Sequence, residues 1–401
     1  MSSRLAFFFE GRTNWMAGYT YLSNLLNAIR LCDQKVDICL LRKPSDGDVS
    51  LPPAKGLVEL ADEVMDWPTL RRWSLPWARA RLYERTLRRP YPDKTLNDFL
   101  EANRVDVAFG SWWQYPGASV FPSVRMCAWI HDFQFLHLPE FYDDASLQST
   151  RRGIRRTVDI ADRVVVSSHD ALKDLLSSTP GAAPKARVLP FVADIPDQVY
   201  ACDPEVVVRQ YHLPTKFIYL PNQFWQHKNH RLVLDALHVL SERGVRPYVV
   251  CTGLPHDSKR QAHFAELLKQ VAELGQREQM IFLGLLPIDH VKALMRQAIC
   301  VLNPSLFEGW SSTVEEAKSL GKRLLLSDLP VHREQNPPAT IFFDPQDPEN
   351  LALKLEAVWQ ESDPGPDLPL EATARQALPD RKRQFGEAFL SIVREVAPSR
   401  R

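Results

Sequence analysis

A repeated order of elements constrains the fold of this chain more than any other feature of its sequence. Short apolar runs, such as residues 5–9, 36–41 and 105–109, are each followed by a polar loop and often by apolar residues at helical spacing. The second half repeats this order more regularly, from residues 217–220 to residues 340–343. Strands that alternate with helices predict parallel sheets whose two faces are covered by helices.

Length and composition predict two soluble domains. A chain of 401 residues is longer than one ordinary core, so two domains are expected. The pattern pauses at residues 189–203, which predicts a first domain of residues 1–195 with a C-terminal helix at 380–401, and a second of residues 196–379. Because Lys plus Arg and Asp plus Glu both number 49, no overall charge indicates nucleic acid as a partner.

Cysteine usage and hydropathy predict the cellular location. The six cysteines are scattered and form no C-x-x-C pair, which favours reduced core thiols in a reducing compartment. Residues 5–9 are too short for a signal-peptide core, and no run approaches the ~20 apolar residues of a membrane span. We therefore expect a cytoplasmic protein and leave peripheral attachment at the inner face of the cell membrane open.

We expect no metal, since the sequence has no Asp-x-Asp pair and no His cluster of ligand spacing.

The stretch NPSLFEGWSSTVEEAKSL, residues 303–320, concentrates candidate binding chemistry. It follows an apolar run, residues 299–302, that predicts a short buried strand. Glu308 and Gly309 lie on the loop after that strand, and Glu316 lies in the first turn of the helix that follows. This edge of an open α/β sheet is where ligands bind, and a helix start favours a phosphate.

Helix capping is a competing explanation for part of this pattern. Ser312 and Thr313 are candidate N-caps, with Glu315 and Glu316 three residues further on as reciprocal partners. We interpret Glu315 as a plain capping partner and leave the capping and ligand roles of Glu316 as alternatives. Capping does not explain Glu308, which precedes the helix.

A second polar loop, PNQFWQHKNH at residues 221–230, follows the predicted strand at residues 217–220. Lys228 lies just before a helix, where a cation and the helix start contact the same phosphate. Asn222 adds an uncharged donor, and the turn at residues 284–287 offers its backbone to a base edge. One cation, two acids and two helix starts on one sheet edge predict a sugar-nucleotide site.

Two loops of the first half are weaker candidates. His131 follows the predicted strand at residues 125–130, where it would orient a hydroxyl or accept a proton near neutral pH. The alternative is a structural hydrogen-bonded pair with Asp132. Ala17 and Gly18 would let backbone approach a ligand at a helix start, and a tight turn is the alternative there.

Residues 71–89, RRWSLPWARARLYERTLRR, interrupt the alternation with seven arginines. One interpretation is a solvated helix face with aromatic anchors. The other is a surface for anionic head groups or a lipid-linked pyrophosphate, because Arg binds phosphate through a fork and Trp suits the interface. The residues predicted for that surface are Arg71, Arg72, Trp73, Trp77 and Arg79. Four more arginines would extend it, namely Arg151, Arg152, Arg155 and Arg156.

The spacing E-x7-E from Glu308 to Glu316, within FEGWSSTVEEAKSLGK, resembles the signature of the retaining nucleotide-sugar glycosyltransferases of family four. The segments NWMAGYTYLSNLL, WIHDFQFLHLPEF and LPNQFWQHKNH are similar to that family's glycine loop, His-Asp segment and phosphate-lysine segment. The resemblance implies the GT-B fold: two Rossmann-like domains with parallel sheets facing across a cleft, the first for the acceptor and the second for the donor. Behind a predicted Pro-rich linker at residues 362–378, the C-terminal helix would pack back on the first domain.

The resemblance also implies roles for individual residues. His131, Lys228 and Glu308 would be catalytic, with Lys228 on the pyrophosphate and Glu308 on the donor sugar. Glu316 would contact the ribose. The full set expected to bind the donor is Gly18, Asn222, Lys228, Gly284, Leu285, Glu308, Gly309, Trp310, Ser311, Ser312, Thr313 and Glu316. The family often has Arg where this chain has Asn222, so Arg231 or a cation of the first domain is expected to substitute.

The function implied is retaining, metal-independent transfer of a sugar from a nucleoside diphosphate to an acceptor hydroxyl, with no further cofactor. Bacterial surface-polysaccharide or glycolipid assembly is the expected setting. The expected partners are a nucleotide sugar, a glycan or lipid-linked acceptor and a membrane surface. Two alternatives remain: a sugar-nucleotide epimerase or hydrolase on the same scaffold, and a non-catalytic sugar-nucleotide-binding subunit.

Overall fold

The computed structural model describes residues 3–9, 16–42, 57–68, 79, 82–83, 86, 94–111, 123–257 and 260–397. The chain divides into two compact units, Met1–Val192 with Asp380–Arg401, and Ala193–Pro379. The boundary expected from the sequence, between residues 195 and 196, lies three residues beyond the one between 192 and 193. The assignment of acceptor and donor to the two units stays a prediction.

The first unit contains a seven-stranded sheet. Its strands are β1 (Ser3–Phe9), β2 (Val36–Arg42), β3 (Glu63–Asp66), β4 (Val107–Gly110), β5 (Arg125–Trp129), β6 (Arg163–Val166) and β7 (Ala186–Val188). They are all parallel, in the order β3-β2-β1-β4-β5-β6-β7, and Leu5 at the centre lies opposite Ile38 on one side and Val107 on the other. The helices are α1 (Met16–Arg30), α2 (Lys94–Ala102), α3 (Gln134–His137), α4 (Asp144–Ile160) and α5 (His169–Ser178).

The second unit contains a six-stranded parallel sheet. Its strands are β8 (Ile218–Leu220), β9 (Val249–Thr252), β10 (Met280–Gly284), β11 (Cys300–Asn303), β12 (Leu324–Ser327) and β13 (Thr340–Phe343). Their order is β10-β9-β8-β11-β12-β13. The helices are α6 (Asp197–Ala201), α7 (Pro204–Gln210), α8 (His230–Glu242), α9 (His263–Glu273), α10 (Ile288–Gln297), α11 (Ser312–Leu320), α12 (Pro330–Gln335) and α13 (Pro348–Glu361). A last helix, α14 (Leu368–Arg394), begins in the second unit and ends in the first.

The burial of the strands explains why parallel sheets were predictable. Every residue of β8, β9, β11 and β12 is buried, as expected of parallel strands covered by helices on both faces. The sequence prediction missed β3 and β7, the two edge strands of the first sheet. Both are short and only partly buried, so neither carries a continuous apolar run.

Residues 362–378 were predicted to begin as a Pro-rich linker and the last helix to start at residue 380, whereas α14 already begins at Leu368. Pro369 stands in the first turn, where a helix needs no backbone N–H from it. Pro379 lies inside the helix, and α14 continues through it to Arg394. Packing of the helix on the units that it joins outweighs the local preference of proline for a break.

The C-terminal part of α14 packs on the first unit, as the resemblance implied. The Phe389 ring lies 5.7 Å from the ring of Phe7 and 5.0 Å from that of Phe109, between ring centroids. Glu395, just beyond the helix, accepts hydrogen bonds from Arg163 at 2.7 Å and from Arg187 at 2.5 Å. The helix is therefore fastened to the first unit by an apolar contact and by two ion pairs.

The contact between α14 and α1 yields a stability prediction. A Cβ atom on Gly386 would lie 2.4 Å from the carbonyl oxygen of Ala28, which is backbone and cannot move aside cheaply. We expect Gly386→Ala to lower the free energy of unfolding by about 1–3 kcal/mol, as overpacking does elsewhere. Gly181→Ala is the control, since nothing lies within 4 Å of its added Cβ. Urea unfolding checks this, and equal midpoints for the two variants would contradict the close packing.

Candidate functional site

The carboxyl ends of neighbouring strands β8 and β11 carry the centre of the candidate site. Asn222, just beyond β8, donates from Nδ2 to Oδ1 of Asn303, the last residue of β11, at 3.1 Å. Thr313 in α11 donates from Oγ1 to Oδ1 of Asn222 at 2.9 Å. Asn222 is 3% exposed, so its amide connects two strands to a helix start inside the protein. An arginine at this place would have to break that buried network.

Glu308 follows β11 and is held through one oxygen. Its Oε1 accepts from Lys228 Nζ at 2.6 Å, from Ser305 Oγ at 2.7 Å and from Asn303 Nδ2 at 3.4 Å. Within the described part of the chain, Oε2 has no hydrogen-bond partner. The Glu308 side chain is only 9% exposed. The arrangement fixes the carboxylate and leaves one acceptor oxygen for a ligand.

Opposing effects set the charge of Glu308. Burial pushes the pKa of this carboxyl upward, because desolvation disfavours the charged form. The charge and hydrogen bond of Lys228, with smaller contributions from His332 and His227, outweigh burial and lower the pKa of Glu308 to about 2. The carboxylate therefore stays ionised at any physiological pH and suits hydrogen-bond acceptance better than proton transfer.

Glu316 has a lysine partner that the sequence prediction missed. Lys292 Nζ on α10 lies 2.5 Å from Glu316 Oε2, and the two side chains are 6% and 14% exposed. Burial lowers the pKa of Lys292, and Glu316 opposes that effect. No local pattern distinguishes Lys292 from a lysine on a solvated helix face, because its partner lies on the next helix, α11.

The predicted capping arrangement of α11 needs correction. Ser311, not Ser312 or Thr313, is the N-cap, and its Oγ accepts from the backbone N–H three residues further on. Glu315 is 1% exposed and accepts from Gln335 Nε2 at 3.3 Å. Glu315 therefore bonds to α12, an interaction that capping logic did not foresee. Gln335 also bonds the backbone of Ser311 through both atoms of its amide, which pins the helix start.

Further residues of the predicted donor set lie elsewhere in the second unit. Gly284 ends β10 with a φ of +71°, a conformation that favours glycine, and Leu285 beside it is 61% exposed. Gly309 is buried, and Trp310 and Ser312 are partly buried. Arg231, expected as a substitute cation, is exposed and lies 3.7 Å from Asp235. These positions leave their binding roles as predictions.

Gly18 and His131 belong to the first unit, outside that network. Gly18 is buried in the first turn of α1, which begins at Met16. His131 follows β5, and its ring lies 4.1 Å from the Trp129 ring, edge to face. Burial lowers the pKa of His131 to about 3, which favours the neutral imidazole, and the catalytic role expected of His131 stays a prediction. A neutral imidazole remains suited to orienting a hydroxyl.

The predicted basic surface is described only in part. Arg71, Arg72, Trp73 and Trp77 lie outside the described residues, and Arg79 is exposed. On α4, three arginines are exposed and make no ion pair with any residue that the structure describes, namely Arg151, Arg152 and Arg155. Arg156 is more buried. The helix thus presents three arginines to solvent that have no ion-pair partner among the described residues.

The described residues contain neither a metal-binding cluster nor a helix that could span a membrane. No three His, Cys, Asp or Glu side chains come close enough there to hold a metal ion. No helix in the same residues has the length and apolar content needed to cross a bilayer.

Comparison of sequences assigns the segment that contains this network. Residues 210–374 match the family described as glycosyl transferases group 1. They include Asn222, Lys228, Glu308 and Glu316. The matched segment lies wholly within the second unit, Ala193–Pro379. No curated protein sequence matches the chain significantly.

Solved structures share the fold of the whole chain. A glycosyltransferase from Rickettsia africae superposes with a TM-score of 0.66 at 13% identity, over 98% of both chains. Anabaena HepE, solved in complex with UDP and glucose, gives 0.67 at 17% identity, again over 98% of both chains. WaaG, a glycosyltransferase involved in lipopolysaccharide biosynthesis, gives 0.60 at 13% identity over 98% of both chains. The predicted GT-B fold class, with two Rossmann-like domains of parallel strands, is confirmed, whereas membership of family four stays a prediction.

The depressed pKa of Glu308 predicts part of the acid unfolding of the protein. Its folded pKa of about 2 lies below the ordinary 4.5, so its stabilisation is complete above pH 4.5 and is lost as the pH falls toward 2. This loss amounts to about 3 kcal/mol. We expect Glu308→Gln to show a smaller decline in unfolding free energy than the wild type between pH 5 and about 2.5, measured by urea unfolding. Exposed Glu273→Gln should follow the wild type, and an unchanged decline in Glu308→Gln would contradict the pairing.

Proposed function

We propose that this chain is a retaining, metal-independent glycosyltransferase that moves a sugar from a nucleoside diphosphate donor to an acceptor hydroxyl. The observation that carries the proposal is the Glu308 carboxylate, which contacts Lys228 through one oxygen and leaves the other for a ligand. It lies in the segment that matches glycosyl transferases group 1. The similarity to HepE, solved with UDP and glucose, supports a UDP-sugar or another nucleoside diphosphate sugar as the donor. The similarity to WaaG supports a role in assembling a bacterial surface polysaccharide or glycolipid.

Lys228 is the proposed contact for the donor pyrophosphate. Its ammonium has three N–H donors, and Glu308 takes one of them. The others suit phosphate oxygens, which the N–H groups at the start of α11 would bind as well. When the bond between the sugar and the diphosphate breaks, negative charge grows on the phosphate, and this fixed cation stabilises it. Glu308 Oε2 would accept a hydroxyl of the transferred sugar.

The proposed reaction retains the configuration at the anomeric carbon. The bond from that carbon to the phosphate oxygen breaks with oxocarbenium character, and the acceptor oxygen forms its bond on the same face. The acceptor proton goes to the departing phosphate oxygen, because Glu308, with a pKa of about 2, is too weak a base to take it. His131, held neutral by burial, would orient a hydroxyl. The acceptor is a glycan or a lipid-linked sugar, and no resident metal takes part.

Activity measurements test this proposal. A thermal-shift panel of UDP-, GDP-, dTDP- and ADP-sugars identifies the donor, because binding stabilises the folded state in proportion to occupancy.

With that donor, we expect Lys228→Ala and Glu308→Gln to lower kcat/KM by roughly tenfold or more, the scale of one lost charged contact. Lys269→Ala, on the exposed face of α9, should leave kcat/KM unchanged. Full activity in both site variants would overturn the assignment.

Product analysis separates the competing activities. NMR of the product should show the donor's anomeric configuration retained, and EDTA should leave the rate unchanged. Release of nucleotide and altered sugar from the donor alone would favour an epimerase or hydrolase instead. Tight donor binding without turnover, across a panel of glycan and lipid-linked acceptors, would favour a non-catalytic subunit.

We also propose that α4 meets an anionic membrane surface, which would bring the chain to a lipid-linked acceptor at the inner face of the cell membrane. The proposal is supported by the exposure of Arg151, Arg152 and Arg155, which have no ion-pair partner among the described residues. Each arginine near such a surface contributes about 1 kcal/mol. Replacing all three with Gln should weaken sedimentation with phosphatidylglycerol vesicles by about 100-fold.

A matched control keeps the change in net charge the same. Arg209→Gln, Lys269→Gln and Arg277→Gln together remove three positive charges from the second unit. That variant should bind the vesicles as the wild type does, and phosphatidylcholine vesicles should bind neither protein. Equal loss in the two triple variants would mean that only net charge matters, and the α4 surface would then be rejected.

A further inference from the structure

Each acid of the E-x7-E pair has its own lysine. Lys228 holds Glu308, and Lys292, from a different element, holds Glu316 through Oε2 at 2.5 Å. The second oxygen of Glu316 makes no hydrogen bond with any residue that the structure describes. Both carboxylates therefore share one design, in which a buried ammonium fixes one oxygen and the other oxygen is left as an acceptor.

Stability alone does not account for Lys292. Desolvating an ammonium and a carboxylate is expensive, and a buried pair is often no more stabilising than apolar residues of the same size. On the same face of α10, one turn further on, Met295 is buried, and so is Arg296, which has its own partner in Glu371. If no partner for Glu316 were needed, burying an apolar residue at position 292 would cost less desolvation free energy than burying a lysine.

Glu316 pairs with Lys292, and the structure describes no second ion pair of this carboxylate. Its Oε2 lies 2.5 Å from Lys292 Nζ, and both side chains are largely buried. Lys292 is therefore placed to fix the orientation of the Glu316 carboxylate.

We propose that Lys292 is a positioning residue that holds the Glu316 carboxylate so that its second oxygen accepts the ribose hydroxyls of the donor. This inference rests on the proposed function and adds a residue to it. Lys292 itself would not touch the donor. Its effect would therefore be seen in the selectivity for a ribose hydroxyl rather than in the strength of the phosphate contact.

A comparison of ribose and deoxyribose ligands tests this role. UDP, GDP and ADP are titrated calorimetrically into the full chain, and the tightest binder is compared with its 2′-deoxy form. We expect the wild type to favour the ribose form by about tenfold, as a hydrogen bond to a charged group does, and Lys292→Met to favour it by less than about twofold. Lys292→Arg, which keeps the charge, should restore most of the preference.

The controls separate this inference from the proposed function. Lys269→Met makes the same charge change on an exposed helix face and should keep the tenfold preference. A wild type that binds none of the three diphosphates would overturn the proposed function. A wild type without preference, or a preference that persists in Lys292→Met, would overturn the role of Lys292 alone. If Lys292→Met fails to fold, Lys292→Gln removes the charge, keeps an N–H donor, and is judged by the same ratio.

Discussion

The ion pair between Lys228 and Glu308 is the interaction on which the candidate site depends. Its 2.6 Å contact joins the loop after β8 to the loop after β11, and Ser305 and Asn303 complete the shell around the same oxygen. Loss of either charge would leave its partner buried and uncompensated, which typically destabilises a protein by about 3–5 kcal/mol. A bound diphosphate would share the lysine with Glu308, so the pair serves folding and the proposed binding together.

Much of the fold could be predicted from the sequence because burial in parallel sheets leaves a local record. Strands such as β9 and β11 are buried throughout, and their apolar runs are visible without any tertiary information. The edge strands β3 and β7 leave no such record, since solvent covers part of each. The start of α14 was missed for a related reason: its prolines indicate a break, and the contacts that stabilise the helix are far away in the sequence.

The candidate site was predictable where its residues lie in one motif and not where they meet across the fold. The E-x7-E spacing and the lysine before α8 indicated Glu308, Glu316 and Lys228, and the structure brings Lys228 and Glu308 into contact. Lys292 was missed, since its pairing with Glu316 is purely tertiary. Burial, which the sequence around His131 does not reveal, lowers the pKa of this side chain, and its role stays a prediction.

We propose that the two carboxylates and Lys228 together form a nucleotide-sugar site. A crystal structure of the full chain with its best nucleoside diphosphate sugar tests this most directly. We expect the pyrophosphate to contact Lys228 and the sugar to contact Glu308 Oε2. The ribose should bind the oxygen of Glu316 that Lys292 does not contact. A donor bound elsewhere on the chain, with neither carboxylate in contact with it, would contradict the account.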